Sequence, residues 1–120
     1  MTASTDYKAL TQGISSHIGE LRASVPQVMQ GFNALGKAAL APGAIDARTK
    51  ELIALAIGVA ARCDGCIGFH TQALARLGAT RAQVHEALGI AVYMGGGPSL
   101  MYAANAVAAF DECAPAAAQA

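Results

Sequence analysis

The chain has 120 residues, enough for one hydrophobic core and too few for two, so it is read as a single domain spanning 1–120. Hydrophobic residues make up 54% and charged residues only 13%, which exceeds what a soluble monomer of this size requires and points to homo-oligomeric packing of helix faces. Eight Lys and Arg balance eight Asp and Glu to a net charge of zero, and no basic run could follow a phosphate backbone, so nucleic acid is not an expected partner.

Helical periodicity dominates and nothing alternates like a half-buried strand, so the expected class is all-α, a bundle of about six helices. The first runs from about Asp6 to Ala23 with Leu10, Ile14, Ile18 and Leu21 on one stripe. Ser24 is placed to cap the second, which has Pro26 in its first turn and Val28, Phe32, Leu35 and Leu40 facing inward, and Ala41-Pro42-Gly43 ends it. Asp46 caps a third helix that is apolar on nearly all sides from Leu52 to Ala61, the mark of an element buried in a core or between subunits. A turn at Arg62-Cys63-Asp64-Gly65 leads to a fourth helix, with Cys63 or Asp64 at its N-cap and Gly78 suited to the left-handed position after its end. Thr80 with Gln83 forms a capping box for the fifth. Gly95-Gly96-Gly97 is a tight turn and Pro98 opens the sixth, while the tail 114–120 is expected to fray.

Two runs bear on the compartment. The longest uncharged apolar segments, Leu52–Ala61 and Ala87–Met94, fall short of the roughly 20 residues of a membrane helix. The start, Met1-Thr-Ala-Ser-Thr-Asp6, has neither the basic residues nor the apolar segment of a secretory signal, so the expected location is cytoplasmic. Thiols are kept reduced there, and a CxxC pair is then more naturally catalytic or metal-binding than a structural staple.

Nearly all the reactive chemistry falls between Glu51 and His70, where Cys63-Asp-Gly-Cys66 is followed after three residues by His70. On a helix starting near residue 64, positions 63, 66 and 70 share one face, which Leu74 and Leu77 continue. The N–H groups and dipole at a helix start favour the thiolate, and a histidine one turn on can take its proton. Glu51 is the carboxylate beside the most apolar helix and can tune that histidine. The spacing poses a difficulty. A hairpin turning at residue 63 sets Glu51 opposite residue 75, roughly 7 Å along the axis from His70 at 1.5 Å per residue.

Other readings of these residues stay open. Cys63, Cys66, His70 and Glu51 could form a tetrahedral zinc site, although no second CxxC or HxxxH pair accompanies them. Cys113 is expected to be an inert buried residue or an interface contact. His17 and His85 are expected to face solvent, and Tyr93 and Tyr102 to line a pocket or pack in the core.

The pattern Glu51, eleven residues, Cys63-x-x-Cys66, three residues, His70 resembles the signature of the alkylhydroperoxidase D branch of the carboxymuconolactone decarboxylase family. The stretch Tyr93-Met-Gly-Gly-Gly-Pro-Ser-Leu-Met-Tyr102 is similar to the family's second motif, and the likeness covers about residues 20–112. The resemblance implies an all-α trimer or hexamer and a peroxidase that needs no cofactor and no metal. It implies that Cys66 attacks the hydroperoxide, Cys63 resolves, and Glu51 with His70 relays protons. It also implies a dihydrolipoyl or thioredoxin-like dithiol reductant. The alkylhydroperoxidase D proteins themselves carry a histidine immediately before the second cysteine, where this chain has Gly65. The alternatives are a lactone-processing acid–base enzyme of the same fold and a metal-binding, non-catalytic oligomer. Family members that act as lactone decarboxylases lack the cysteine pair.

Overall fold

The computed structural model describes residues 6–119, and every described element is an α-helix. The export-signal reading at residues 1–5, and residue 120, lie outside the described residues. The helices are α1 (Tyr7–Ser24), α2 (Pro26–Leu40), α3 (Ala47–Ala60), α4 (Asp64–Arg76), α5 (Arg81–Gly95), α6 (Gly97–Cys113) and α7 (Ala116–Gln119). The centre is a four-helix arrangement in which α3 packs on α4 and α5, and α6 packs on the same two. Leu55, Val59, Ile67, Leu74, Val84 and Phe110 are buried there, and alanines at 91, 103, 106 and 109 let α5 and α6 approach closely. Helix α1 lies across α4, and α2 lies outside α1.

The helix ends follow local chemistry. Asp46 caps α3 by accepting the Thr49 N–H at 2.7 Å, and Thr80 with Gln83 forms the expected capping box on α5. At the end of α3 the Cys63 N–H reaches the Gly58 carbonyl at 2.9 Å and the Arg62 N–H reaches that of Val59 at 3.0 Å. The end of α4 repeats this pattern, with Ala79 bonded to Leu74 and Gly78 to Ala75. Both ends are Schellman motifs, which require a left-handed residue. Gly78 supplies it at φ 75° and Arg62 at φ 58°, so Arg62 carries a Cβ penalty of about 1–2 kcal/mol directly before the first cysteine.

Several expectations fail. Ser24 ends α1 and does not cap α2. Val25 occupies the N-cap position without a side-chain bond, because Pro26 drives the preceding residue out of helical conformation and the break falls there. The stripe Leu10, Ile14 and Ile18 on α1 is only half-buried and Leu21 is exposed, whereas Tyr7 and Thr11 are the buried positions. On α2, Val28, Phe32 and Leu35 are 66%, 67% and 65% exposed, and no residue of that helix is buried. Leu77 is exposed because α4 ends before it. Residues 116–119 form a short helix instead of fraying, with Ala114 buried and Ala118 packed on the core. Among the described residues no helix is long and apolar enough to cross a membrane.

Candidate redox site

The site is built where α3 hands the chain to α4. Cys63 is the N-cap of α4, and its Sγ accepts the backbone N–H of Cys66 at 3.1 Å. The two cysteines form a disulfide across a Cα separation of 5.2 Å, within the ordinary range for such a bond. Both are half-buried. The two sulfurs are therefore placed differently. Cys63 receives an N–H donor and the positive end of the α4 dipole directly, while Cys66 sits in the first turn with His70 four residues further on the same face.

The expected gap between Glu51 and His70 does not exist: His70 Nδ1 lies 2.6 Å from Glu51 Oε1. Glu51 is 8% exposed, so this pair is sheltered from water. The reason lies in Gly58. A Cβ on it would stand 2.9 Å from the Cβ of Cys66, so the helices meet where Gly58 faces Cys66. That register sets Glu51 opposite residue 73 and only about 4.5 Å along the axis from His70, a span the two side chains close. The sequence signal for this contact was a glycine inside an otherwise apolar helix, which costs about 1 kcal/mol relative to alanine and marks a close approach.

The replacement Gly58→Ala tests the contact. Helix propensity alone favours alanine by about 1 kcal/mol, yet overpacking against Cys66 is expected to destabilise the protein by about 1–3 kcal/mol net. Thermal melting decides between them, and a raised Tm would show that the contact does not hold the two helices at this distance.

The opposite side of the turn is fixed by residues that the linear spacing did not reveal. Tyr7, buried at the start of α1, donates its phenol to Asp64 Oδ1 at 2.8 Å. Burial, and then the Asp64 carboxylate, hold that phenol well above its ordinary range, so it remains a donor. The Tyr7 and Lys8 N–H groups donate in turn to the Glu112 carboxylate of α6. Tyr7 and Asp64 are 57 positions apart, and no local pattern joins them. Gly68 completes the docking of α1: a Cβ there would meet Thr11 Cγ2 at 2.5 Å.

The remaining candidates stand away from this site. His17 is exposed and its Nδ1 lies 2.7 Å from Glu20 within α1. His85 is exposed, as is Tyr93, while Tyr102 is half-buried against the core. Cys113 is exposed, which overturns the first of its two expected settings, burial, and leaves the second, an interface contact, untested. Its Sγ donates towards the Thr71, Ala109 and Phe110 carbonyls. Partial burial of the sulfur, and then Glu112 beside it, push its thiol above the ordinary range and away from reactivity. The alternative zinc set of Cys63, Cys66, His70 and Glu51 does not assemble: among the described residues no three of His, Cys, Asp and Glu are grouped to hold a metal ion, and the two cysteines bond to each other.

Comparisons with known proteins agree with this architecture. An uncharacterized protein of Cupriavidus necator is 44% identical over 107 residues, covering 89% of this chain and 95% of its own. A carboxymuconolactone decarboxylase family protein from Legionella pneumophila, solved in its apo form, superposes with a TM-score of 0.89 at 51% identity, covering 91% of this chain and 97% of its own. A second member of that family, from Thermotoga maritima, for which an involvement in antioxidative response has been suggested, superposes at 0.76 with 29% identity over 85% of this chain and 87% of its own. The profile of the family matches residues 26–109. With its all-helical core and most of its length matched, the chain belongs to the carboxymuconolactone decarboxylase family.

Proposed function

We propose that this protein is a thiol-dependent hydroperoxidase of the alkylhydroperoxidase D type, cycling between a Cys63–Cys66 dithiol and its disulfide. The observation that carries this reading is the disulfide at the start of α4, one helical turn from the hydrogen-bonded Glu51–His70 pair. Glu51 occupies Nδ1 of the imidazole and leaves Nε2 to exchange protons with the Cys66 thiol. The suggested antioxidative role of the Thermotoga maritima neighbour is of the same kind.

The steps balance without a cofactor. The Cys66 thiolate attacks the terminal oxygen of a hydroperoxide, the O–O bond breaks, and the departing alkoxide takes a proton from the imidazolium to leave as an alcohol. Cys66 is then a sulfenic acid. The Cys63 sulfur attacks it, hydroxide departs as water with the proton released by Cys63, and the disulfide forms. A dithiol reductant, dihydrolipoyl or thioredoxin-like, restores the pair by exchange and is itself oxidised to a disulfide. Gly65, standing where the alkylhydroperoxidase D proteins have a histidine, leaves His70 as the ring base of this relay.

Treating the fully reduced protein with one equivalent of an organic hydroperoxide tests this reading. Peptide mapping by mass is expected to find the Cys63–Cys66 disulfide and an equal yield of alcohol. Thiols that persist beside unconsumed hydroperoxide would end the proposal.

A further inference from the structure

Helix α4 is engaged from two sides. Cys66 and His70 face α3, against Gly58 and Glu51. Asp64 and Gly68 face α1, where the Tyr7 phenol donates to Asp64 Oδ1 at 2.8 Å and a Cβ on Gly68 would press on Thr11. Asp64 stands between the two cysteines in the chain and is by its chemistry the better N-cap, because a carboxylate accepts backbone N–H groups more strongly than a sulfur does. Yet the N-cap of α4 is Cys63, and the Cys63 sulfur accepts the Cys66 N–H at 3.1 Å. The carboxylate is occupied elsewhere. Tyr7 is buried and its own N–H is fixed by Glu112 of α6, so the phenol that takes Asp64 Oδ1 is held in place. Burial first, and then Asp64, Glu112 and Tyr102, keep that phenol protonated.

We infer that Tyr7 is a positioning residue of the redox turn: by holding the Asp64 carboxylate on the α1 side of α4, it leaves the N-cap and its N–H donor to the Cys63 sulfur. In the reduced protein that donor and the helix dipole favour the Cys63 thiolate. A released Asp64 carboxylate acts the other way, competing for the same N–H groups and placing a second negative charge beside the sulfur. The other charged and titratable groups at the turn are Glu51 of α3, His70 of α4 and Arg62 before Cys63, and the test below alters none of them. The inference rests on the dithiol–disulfide cycle proposed above, not on hydroperoxide being its oxidant, and it bears on two steps of that cycle. The Cys63 thiolate is the form that attacks an oxidised Cys66 sulfur. When a reductant thiolate bonds to Cys66 and the disulfide breaks, Cys63 departs with the electron pair, and a more acidic thiol departs faster.

The rate at which iodoacetamide alkylates the fully reduced chain, followed against pH and assigned to each cysteine by peptide fragmentation, tests this. In the parent protein Cys63 is expected to titrate below the ordinary thiol value of about 8.5. Tyr7→Phe keeps the ring and removes the donor, and is expected to move the Cys63 profile up by roughly one pH unit, a loss of up to about tenfold in thiolate near neutral pH. Tyr7→Phe combined with Asp64→Ala removes donor and competitor together, and is expected to return the profile to within about twofold of the parent rate. An ordinary Cys63 profile in the parent would overturn the inference whatever the variants do, as would a Tyr7→Phe profile that has not moved. A double variant as impaired as Tyr7→Phe would also overturn it, since Tyr7 would then serve only to dock α1. Profiles that move as expected in a protein that consumes no hydroperoxide would leave the inference standing and remove the peroxidase reading alone.

Discussion

Replacing Cys66 with serine is expected to reduce hydroperoxide consumption to the background rate, because the proposed mechanism loses the sulfur that attacks the O–O bond. Replacing Cys63 is expected to have a different outcome. The first oxidation of Cys66 still occurs, but no neighbour condenses with the sulfenic acid, so excess peroxide carries it to sulfinic acid and turnover stops after one cycle. The two sulfurs are not equivalent in the fold, since Cys63 holds the N-cap position and Cys66 has His70 one turn away. Stopped-flow oxidation followed by mass measurement separates them. If Cys63→Ser proves inert while Cys66→Ser still reacts, the helix dipole outweighs the histidine and the roles are exchanged. The acid–base alternative, lactone processing by Glu51 and His70, predicts instead that activity on a lactone survives both cysteine replacements.

The Glu51–His70 pair carries the second large effect. General acid–base assistance of this kind contributes about 10²–10⁴-fold, and His70→Gln is expected to lower the rate of thiol oxidation within that range. Glu51→Gln keeps the shape and a hydrogen bond but removes the carboxylate that orients the imidazole through Nδ1. Its expected loss is of the same order, and the double variant should be no slower than the worse single one, because the two act as one unit. A Glu51→Gln protein that oxidises within threefold of the parent rate, with only its melting temperature changed, would reduce Glu51 to a structural role.

Much of this site is local and therefore legible in the chain. Cys63, Cys66 and His70 share a face because helical spacing places positions 63, 66 and 70 there, and a helix start was signalled by the turn before Gly65. The caps at Asp46 and Thr80 and the left-handed Gly78 follow from side-chain chemistry within a few residues. Distances between helices are a different matter. The meeting of Glu51 with His70 depended on which residues of α3 and α4 face each other, and the Gly58 contact with Cys66 decided that. A turn count from residue 63 mislaid it by two positions. The Tyr7–Asp64 bond, 57 residues apart, had no local trace at all.

Hydrophobic pattern also carries less than it suggests. It located α2 and its apolar stripe correctly, yet Val28, Phe32 and Leu35 lie in the open. Periodicity reports that a face is apolar and not what covers it, whether the same chain or another. The order of reactive groups along α4, the caps at Asp46 and Thr80 and the all-helical class were thus determined by the sequence alone, since each depends on neighbours within about one helical turn. The register of α3 on α4, the tie from α1 to the redox turn, and the division between core and exposed apolar faces were decided only by the tertiary structure. Each of those depends on close packing between segments far apart in the chain, where one absent Cβ is enough to change which side chains touch.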